Sequence, residues 1–253
     1  MKRKCALITG AGTGIGQGIA MTLGRAGYDV AVHYHSSRQG AEEVCRVVEA
    51  AGGRAIAIQA DLSDLAQIRR LFREAEAFLG RLDLFVNNSG ITKKCPFEQT
   101  PEDLFDQLVA VDLKSAYFCV QQAGNAMAKA GVPGCIVVIA SNNGLMERPE
   151  VSVYGTIKTA LIKMTRHAAV EYAKYGIRIN SIAPGWTATP RTVACGMEQT
   201  YSTIPLKRWC QPEEVGGMVL FYASDAAASV TGNCLVADGG AVLLADQASL
   251  YGL

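Results

Sequence analysis

Tyr154 and Lys158 stand four residues apart in the run Tyr154-Gly155-Thr156-Ile157-Lys158, and Ser141 lies thirteen residues before the tyrosine. On a helix, positions i and i+4 share a face. An ammonium held beside a phenol favours the phenolate, because a nearby positive charge stabilises the ionised form. A free tyrosine, with a pKa of about 10, is a poor base at neutral pH, and about 1.4 kcal/mol of added phenolate stabilisation lowers that value by one. The pair can therefore make an acid/base tyrosine. A serine hydroxyl arriving from the end of a neighbouring strand would hold a carbonyl or alcohol oxygen against it. Tyr-x-x-x-Lys also describes a solvated helix face, and the N-terminal segment bears on which reading holds.

That segment reads as strand, glycine-rich turn, helix. Cys5-Ala6-Leu7-Ile8-Thr9 is a short apolar run, Gly10-Ala11-Gly12-Thr13-Gly14-Ile15-Gly16 follows, and a helical stretch continues to Arg25. Glycines let the chain turn tightly and bring backbone N–H groups close to a phosphate, and the helix N-terminus behind them favours negative charge. The G-x-G-x-x-G pattern is not met, since Ile15 takes its last glycine position counted from Gly10. The pattern present is Thr-Gly-x-x-x-Gly-x-Gly, through Thr9, Gly10, Gly14 and Gly16. The alternative is a loop that is merely flexible.

Together these residues resemble the short-chain dehydrogenase/reductase family, over essentially the whole chain. Thr9 to Gly16 match its cofactor turn, and Asp61-Leu62 match the pair flanking the adenine. Asn87-Asn88-Ser89-Gly90 match its Asn-Asn-Ala-Gly motif, with serine in place of alanine. Ser141, Tyr154 and Lys158 match the catalytic trio, and Pro184-Gly185 with Thr189 match the segment beside the nicotinamide. The resemblance implies an oxidoreductase that moves hydride between a nicotinamide dinucleotide and a carbonyl or secondary alcohol. Tyr154 would be its acid or base, Lys158 its helper and Ser141 the group that holds the substrate oxygen. The implied cofactor residues are Gly10, Thr13, Gly14, Ile15, Gly16, Tyr34, Ser36, Arg38, Asp61, Leu62, Asn88, Gly90, Tyr154, Lys158, Pro184, Gly185, Thr187 and Thr189. One position departs from the family. Its usual asparagine, which helps hold a water linked to the lysine, is Asp112 here. An aspartate has nearly the same shape but can be charged and then cannot donate. It would pair with Lys158 and alter the relay, or serve only helix packing.

The second strand reads Asp29-Val30-Ala31-Val32-His33-Tyr34. Dinucleotide sites selective for NAD place an acid at the end of this strand, on the ribose 2′-hydroxyl. Asp29 comes too early, and after the strand stand His35, Ser36, Ser37 and Arg38. Hydroxyls, an imidazole and a guanidinium suit a 2′-phosphate. NADP(H) is the expected cofactor, with NAD(H) left open. His33 and His35 share one strand face but lack further ligands, so no metal is expected.

The elements that must position these residues follow from patterning. The chain has 253 residues, 49% hydrophobic and 19% charged, ample for one large α/β domain. A formal net charge of +1 gives no electrostatic case for nucleic acid or an anionic membrane. No segment approaches an uninterrupted membrane-spanning run. The basic start Met1-Lys2-Arg3-Lys4 precedes too short an apolar run for a signal peptide. Eight cysteines without a Cys-x-x-Cys pair read as free thiols in a reducing cytoplasm. Cys95, Cys195 and Cys210 fall in loops near the site and are candidates for oxidation.

Strands are expected near residues 4–9, 28–34, 54–60, 82–87, 134–140, 177–183 and 233–237. Helices are expected near 15–26, 38–51, 64–79, 101–129, 152–174 and 212–223. Alternating strand and helix predicts a single-domain, Rossmann-type doubly wound parallel sheet spanning 1–253. The family order of its seven strands is 3-2-1-4-5-6-7. The glycine turn, Asn87–Gly90, Ser141 and Pro184-Gly185 all follow strands, so they share the carboxyl edge where ligands bind. The stretch 185–210 has no clear strand and reads as a substrate lid or a packed surface loop. The family resemblance implies that the helices at 101–129 and 152–174 pair across a two-fold axis, giving a homotetramer or homodimer, with a tail to Leu253 reaching a neighbour. The expected substrate is a sugar, polyol or other small carbonyl compound. A 3-oxoacyl-acyl-carrier-protein reductase is the alternative, and a non-catalytic nicotinamide-binding sensor or scaffold is the rival of another class.

Overall fold

A computed structural model describes residues 3–196 and 198–244. The expectations for the tail at 245–253, and for Met197 in the lid stretch, lie outside the described residues. Seven strands form one parallel sheet: β1 (Cys5–Ile8), β2 (Asp29–Tyr34), β3 (Ala55–Gln59), β4 (Leu84–Asn87), β5 (Cys135–Ile139), β6 (Arg178–Pro184) and β7 (Cys234–Ala237). Their order is β3-β2-β1-β4-β5-β6-β7, with the reversal between β1 and β4 that opens a ligand crevice at the carboxyl ends.

The central strands are buried on both faces, as a parallel sheet covered by helices requires. Successive residues feed opposite cores. Leu7, Phe85 and Ile136 join Leu71, Cys119 and Ile157 on one side; Ile8, Val86 and Val137 join Ile19, Val44 and Val219 on the other. The first layer is built by α3 (Leu65–Leu79), α5 (Ser115–Lys129) and α6 (Ser152–Tyr172), the second by α1 (Gly14–Arg25), α2 (Arg38–Ala50) and α8 (Pro212–Tyr222).

Local chemistry sets the helix limits. Helix α3 buries Ile68, Leu71, Phe72, Ala75 and Leu79, the spacing of one face. The Asp64 carboxylate accepts the Ala66 N–H at 2.7 Å to start it, and Gly80, at φ 76°, ends it. Helices α1 and α8 lie so close that a Cβ on Gly18 would come within 2.3 Å of Pro212.

Two expectations need correction. The helix expected over 101–129 is not uniform: α4 (Glu102–Leu108) passes into a π turn (Val109–Lys114) before α5 begins. The stretch 185–210 is not structureless either. It holds the short helix α7 (Pro190–Ala194) and a 3₁₀ turn (Glu198–Thr203), and its ends are joined by a bridge between Thr187 and Cys210. Trp209 and Ile204 are buried within it. Apolar side chains carried by loops gave no periodic signal, so their small separate core was not legible. None of the helices among the described residues is long and apolar enough to cross a membrane.

Candidate active site

A cavity of about 1230 Å³ opens at the carboxyl edge of the sheet. It is lined by Gly10, Thr13, Gly14, Ile15, Tyr34, Ser36, Asp61, Leu62, Asn88 and Gly90 at one end. Ser141, Tyr154, Lys158, Gly185, Thr187 and Thr189 line the other. Four expected site residues do not line it: Gly16, Arg38, Asp112 and Pro184.

The glycine turn is held by strands on both sides of β1. Gly10 and Gly14 adopt φ of 64° and 58°, a region that side-chain-bearing residues avoid. A Cβ on Gly16 would lie 2.3 Å from the Gly10 carbonyl, so Gly16 serves close packing behind the turn. The Asn88 Nδ2 donates to the carbonyls of Thr9 and Gly10, at 3.0 and 3.2 Å. The Thr9 Oγ1 accepts the N–H groups of Asn88 and Ser89. From the other side, the His33 Nδ1 accepts the Gly10 N–H at 3.0 Å. Thr13, at the N-cap of α1, makes no side-chain cap, so its hydroxyl takes none of the first-turn N–H groups.

At the end of β2, Tyr34, His35, Ser36 and Ser37 line the cavity and no acid is among them. Asp29 is committed to Arg54 at the opposite end of the strand, at 2.8 Å. Arg38 turns away: its Nε donates to Glu42 at 2.8 Å, and its side chain is 76% exposed. Asp61 accepts from Ser63 through both N–H and Oγ, and these bonds hold its carboxyl below the usual range.

Ser141 follows β5 and caps a 3₁₀ turn (Asn142–Gly144). Its Oγ accepts the Asn143 N–H at 3.2 Å and the Asn143 Nδ2 at 3.4 Å, leaving its own proton to donate. This turn is pressed onto α6, since a Cβ on Gly144 would come within 2.8 Å of the Lys158 backbone. Tyr154 and Lys158 share one face of α6, with the Lys158 Nζ 5.2 Å from the centroid of the Tyr154 ring.

Behind Lys158 sits Asp112, on the π turn. Its Oδ1 accepts the Ile91 N–H at 2.8 Å, its Oδ2 lies 3.6 Å from the Lys158 Nζ, and neither side chain is open to solvent. Burial pushes the Asp112 carboxyl upward, against the opposing pull of the Lys158 charge and the Ile91 bond. Its Oδ2 has no hydrogen-bond partner. Gly90 makes room for the pair: a Cβ there would lie 2.8 Å from the Asp112 Oδ2 and 3.3 Å from the Lys158 Nζ.

Beyond β6, Thr189 caps α7 reciprocally with Thr192. A Cβ on Gly14 would sit 3.4 Å from the Thr189 methyl, so this loop closes over the glycine turn. Asp238 accepts from Asn142 Nδ2 at 3.3 Å and from the N–H groups of Gly240 and Val242, which fastens the segment after β7 to the loop that carries Ser141. The outer mouth carries Arg148 over the Trp186 ring at 4.7 Å, Trp186 stacked on Trp209, and an ion pair between Lys94 and Glu150 at 3.8 Å. All eight cysteines are free. Cys195 lines the cavity. Burial and Glu214 push the Cys210 thiol up to about 11, which makes it a poor thiolate.

Sequence reasoning passed over His33, Trp186 and Arg148 as site residues. The signal for His33 was a polar residue at a core position of a buried strand.

A family model described as enoyl-(acyl carrier protein) reductase matches residues 10–242. The chain is 35% identical over 240 residues to 3-oxoacyl-[acyl-carrier-protein] reductase FabG of Staphylococcus aureus, covering 94% of this chain and 97% of the relative. It is 35% identical over 250 residues to Glucose 1-dehydrogenase 2 of Bacillus subtilis, covering 96% of each. Among solved structures, acetoin dehydrogenase from Enterobacter cloacae superposes with a TM-score of 0.90 at 37% identity, over 97% of this chain and 99% of that one. Acetoin dehydrogenase YohF from Salmonella typhimurium superposes with a TM-score of 0.89 at 32% identity, over 96% and 98%.

Proposed function

The chain belongs to the short-chain dehydrogenase/reductase family, and from that footing we propose an NADP(H)-dependent interconversion of a small carbonyl compound and its secondary alcohol, with Ser141, Tyr154 and Lys158 as the catalytic trio. The observation that carries this reading is the meeting of those three side chains with the glycine turn in one cavity.

The residues present fit a dinucleotide. Gly10, Gly12, Thr13, Gly14 and Ile15 present a glycine-rich backbone edge to the cavity, and Gly12 sets that turn flush against the end of β2, where a Cβ would come within 2.5 Å of the Ser37 carbonyl. The turn from Gly10 to Gly16 would hold the pyrophosphate, with Thr187 and Thr189 across from it on the nicotinamide side. Asp61 and Leu62 would flank the adenine, and Pro184-Gly185 the nicotinamide. Ser36 and Ser37 would meet a 2′-phosphate, with Arg38 released from Glu42 to join them. When bound, the nicotinamide supplies or takes up the hydride.

The chain's own residues manage the proton and the substrate oxygen. In reduction, the Tyr154 hydroxyl gives its proton to the oxygen as the carbonyl carbon gains hydride; in oxidation, the phenolate takes the proton back. The Lys158 charge stabilises the phenolate formed in that exchange. The Ser141 proton, left over by the bonds its Oγ accepts, holds the substrate oxygen. Asp112 stands where it can receive or return a proton through Lys158.

Arg148 and Trp186, backed by the buried Trp209, with Arg191 and Thr192 of α7 also lining the cavity, would act as the lid over a small substrate. Acetoin dehydrogenases and a glucose 1-dehydrogenase among the similar proteins support a small diketone, polyol or sugar. The similarity to FabG supports a second reading, a 3-oxoacyl-acyl-carrier-protein reductase. Self-association through α5 and α6 is proposed with either, supported by the exposed Tyr117 and Val170 on those helices. A panel of aldoses, polyols, 2,3-diketones and acetoacetyl thioesters, run with NADPH and NADH, decides between the substrates. No turnover of any member, with dinucleotide bound, would leave the non-catalytic sensor or scaffold in its place.

A further inference from the structure

His33 is a histidine near the carboxyl end of β2, between β3 and β1, 1% exposed, and it is not idle. It makes three bonds to neighbouring backbone. The His33 carbonyl accepts the Ala11 N–H at 2.8 Å, the Nδ1 accepts the Gly10 N–H at 3.0 Å, and the Nε2 lies 3.1 Å from the Ala60 carbonyl. The two ring partners fix the tautomer. A backbone N–H can only donate and a carbonyl can only accept, so Nε2 carries the proton and Nδ1 is bare. The neutral ring suits this burial, which pushes its pKa down to about 4. The titratable groups acting on it are His35, just after β2, and Asp61 beyond β3; the first opposes its charging and the second favours it.

Gly10 has two backbone polar groups, and both are taken by side chains from flanking strands. The N–H goes to His33 of β2 and the carbonyl to Asn88 beyond β4. A glycine-rich turn otherwise keeps the largest backbone freedom of any loop, and ordering it on binding costs affinity. Ala60, the partner on the far side of the ring, directly precedes Asp61 and Leu62.

We infer that His33 is a positioning residue for the dinucleotide, whose neutral ring braces the phosphate-binding turn through the Gly10 N–H, the Ala60 carbonyl serving to hold the ring in the tautomer that leaves Nδ1 bare. The inference rests on the dinucleotide reading of this cavity. It makes His33 a determinant of cofactor affinity rather than of the chemical step, because its ring bonds go to Gly10 and Ala60 and not to Ser141, Tyr154 or Lys158.

The test uses the amide side chains as partial copies of imidazole. Asparagine places an oxygen near the position of Nδ1 and keeps the Gly10 bond. Glutamine reaches the position of Nε2 and keeps only the Ala60 bond. Leucine keeps neither. NADPH and NADH dissociation constants are measured by fluorescence titration, with kcat and KM where a substrate is known. His33→Leu and His33→Gln should weaken the preferred dinucleotide by about tenfold or more, the scale of one orphaned buried donor. His33→Asn should stay within about threefold, and kcat at saturating cofactor should hardly move in any variant. If wild type binds a dinucleotide and His33→Leu binds it equally well, the inference alone is overturned. If Asn is as weak as Leu, ring packing rather than the Gly10 bond matters, and it is overturned again. If wild type binds neither dinucleotide, the inference falls together with the reading beneath it. Should the Leu and Gln variants not fold, ring ¹⁵N shifts of wild type decide. A neutral Nε2–H ring at pH 6, unchanged by bound dinucleotide, supports the brace, and a charged or Nδ1–H ring overturns it.

Discussion

The Asp112 Oδ2 lies 3.6 Å from the Lys158 Nζ, deep in the protein, while its Oδ1 is spent on the Ile91 N–H. The pair is a buried charge contact with one oxygen left without a hydrogen bond. Asparagine would keep the shape and the Ile91 bond but remove the charge. Asp112→Asn should therefore turn over substrate, with an oxidative pH–rate profile displaced from that of wild type. Asp112→Leu should lose far more activity. Linkage gives a second readout. Because burial raises the folded carboxyl above its ordinary value, its ionisation costs the fold stability as pH rises through that value. Urea unfolding across pH 4–8 should show stability shifting in favour of Asp112→Asn as pH rises. Matching profiles and rates in all three proteins would reduce residue 112 to packing.

Tyr154→Phe keeps the ring and removes the proton. Turnover should fall by about two decades or more, the scale of a positioned acid, with little change in dinucleotide affinity. Lys158→Met should damage both, since Lys158 lies between Tyr154 and Asp112 and lines the cavity. Stopped-flow hydride transfer and fluorescence titration separate the two effects. Ordinary turnover by Tyr154→Phe would sink the proposed trio.

NADPH should bind more tightly than NADH by about 1–3 kcal/mol, the scale of charge-assisted hydrogen bonds. Arg38 starts from its pair with Glu42, so its contribution is set against that exposed ion pair. Arg38→Ala should narrow the gap, and Glu42→Gln should widen it by freeing the guanidinium. Equal binding of both dinucleotides by wild type would refute the assignment.

His33 also makes an acid-stability prediction. Its pKa is about 4 in the fold against 6.5 for the free group. The unfolded chain takes up a proton between those values and the folded one does not. His33 thus contributes stability that is complete above pH 6.5 and is lost as pH falls towards 4, by about 3 kcal/mol. Unfolding of His33→Asn should be flatter over that window. Equal slopes for the two proteins would mean that His33 titrates alike in both states.

Most of the architecture was legible because parallel strands buried on both faces leave uninterrupted apolar runs, and a glycine such as Gly80, left-handed at the end of α3, marks a stop by its local conformation. Tyr154, Lys158 and Ser141 were legible because helix geometry and strand ends turn spacing into proximity. What was not legible depended on contacts across the sheet. Nothing local in the sequence says that His33 reaches both Gly10 and Ala60, or that Arg38 turns to Glu42. The fold of 185–210 was hidden for a related reason: Trp186 and Trp209 stack on each other, and neither belongs to a repeating pattern.

The π turn at Val109–Lys114 has an evolutionary meaning. A π turn carries one residue more than an α turn over the same arc, and each residue of an α-helix advances the face by about 100°. Deleting one residue among 109–111 would let α4 run smoothly into α5 and swing the carboxylate off the lysine. The sheet would be left as it was. Conversely, with the π turn kept, an exchange of asparagine for aspartate at 112 alters the charge beside Lys158 with no change to any strand, glycine turn or member of the trio.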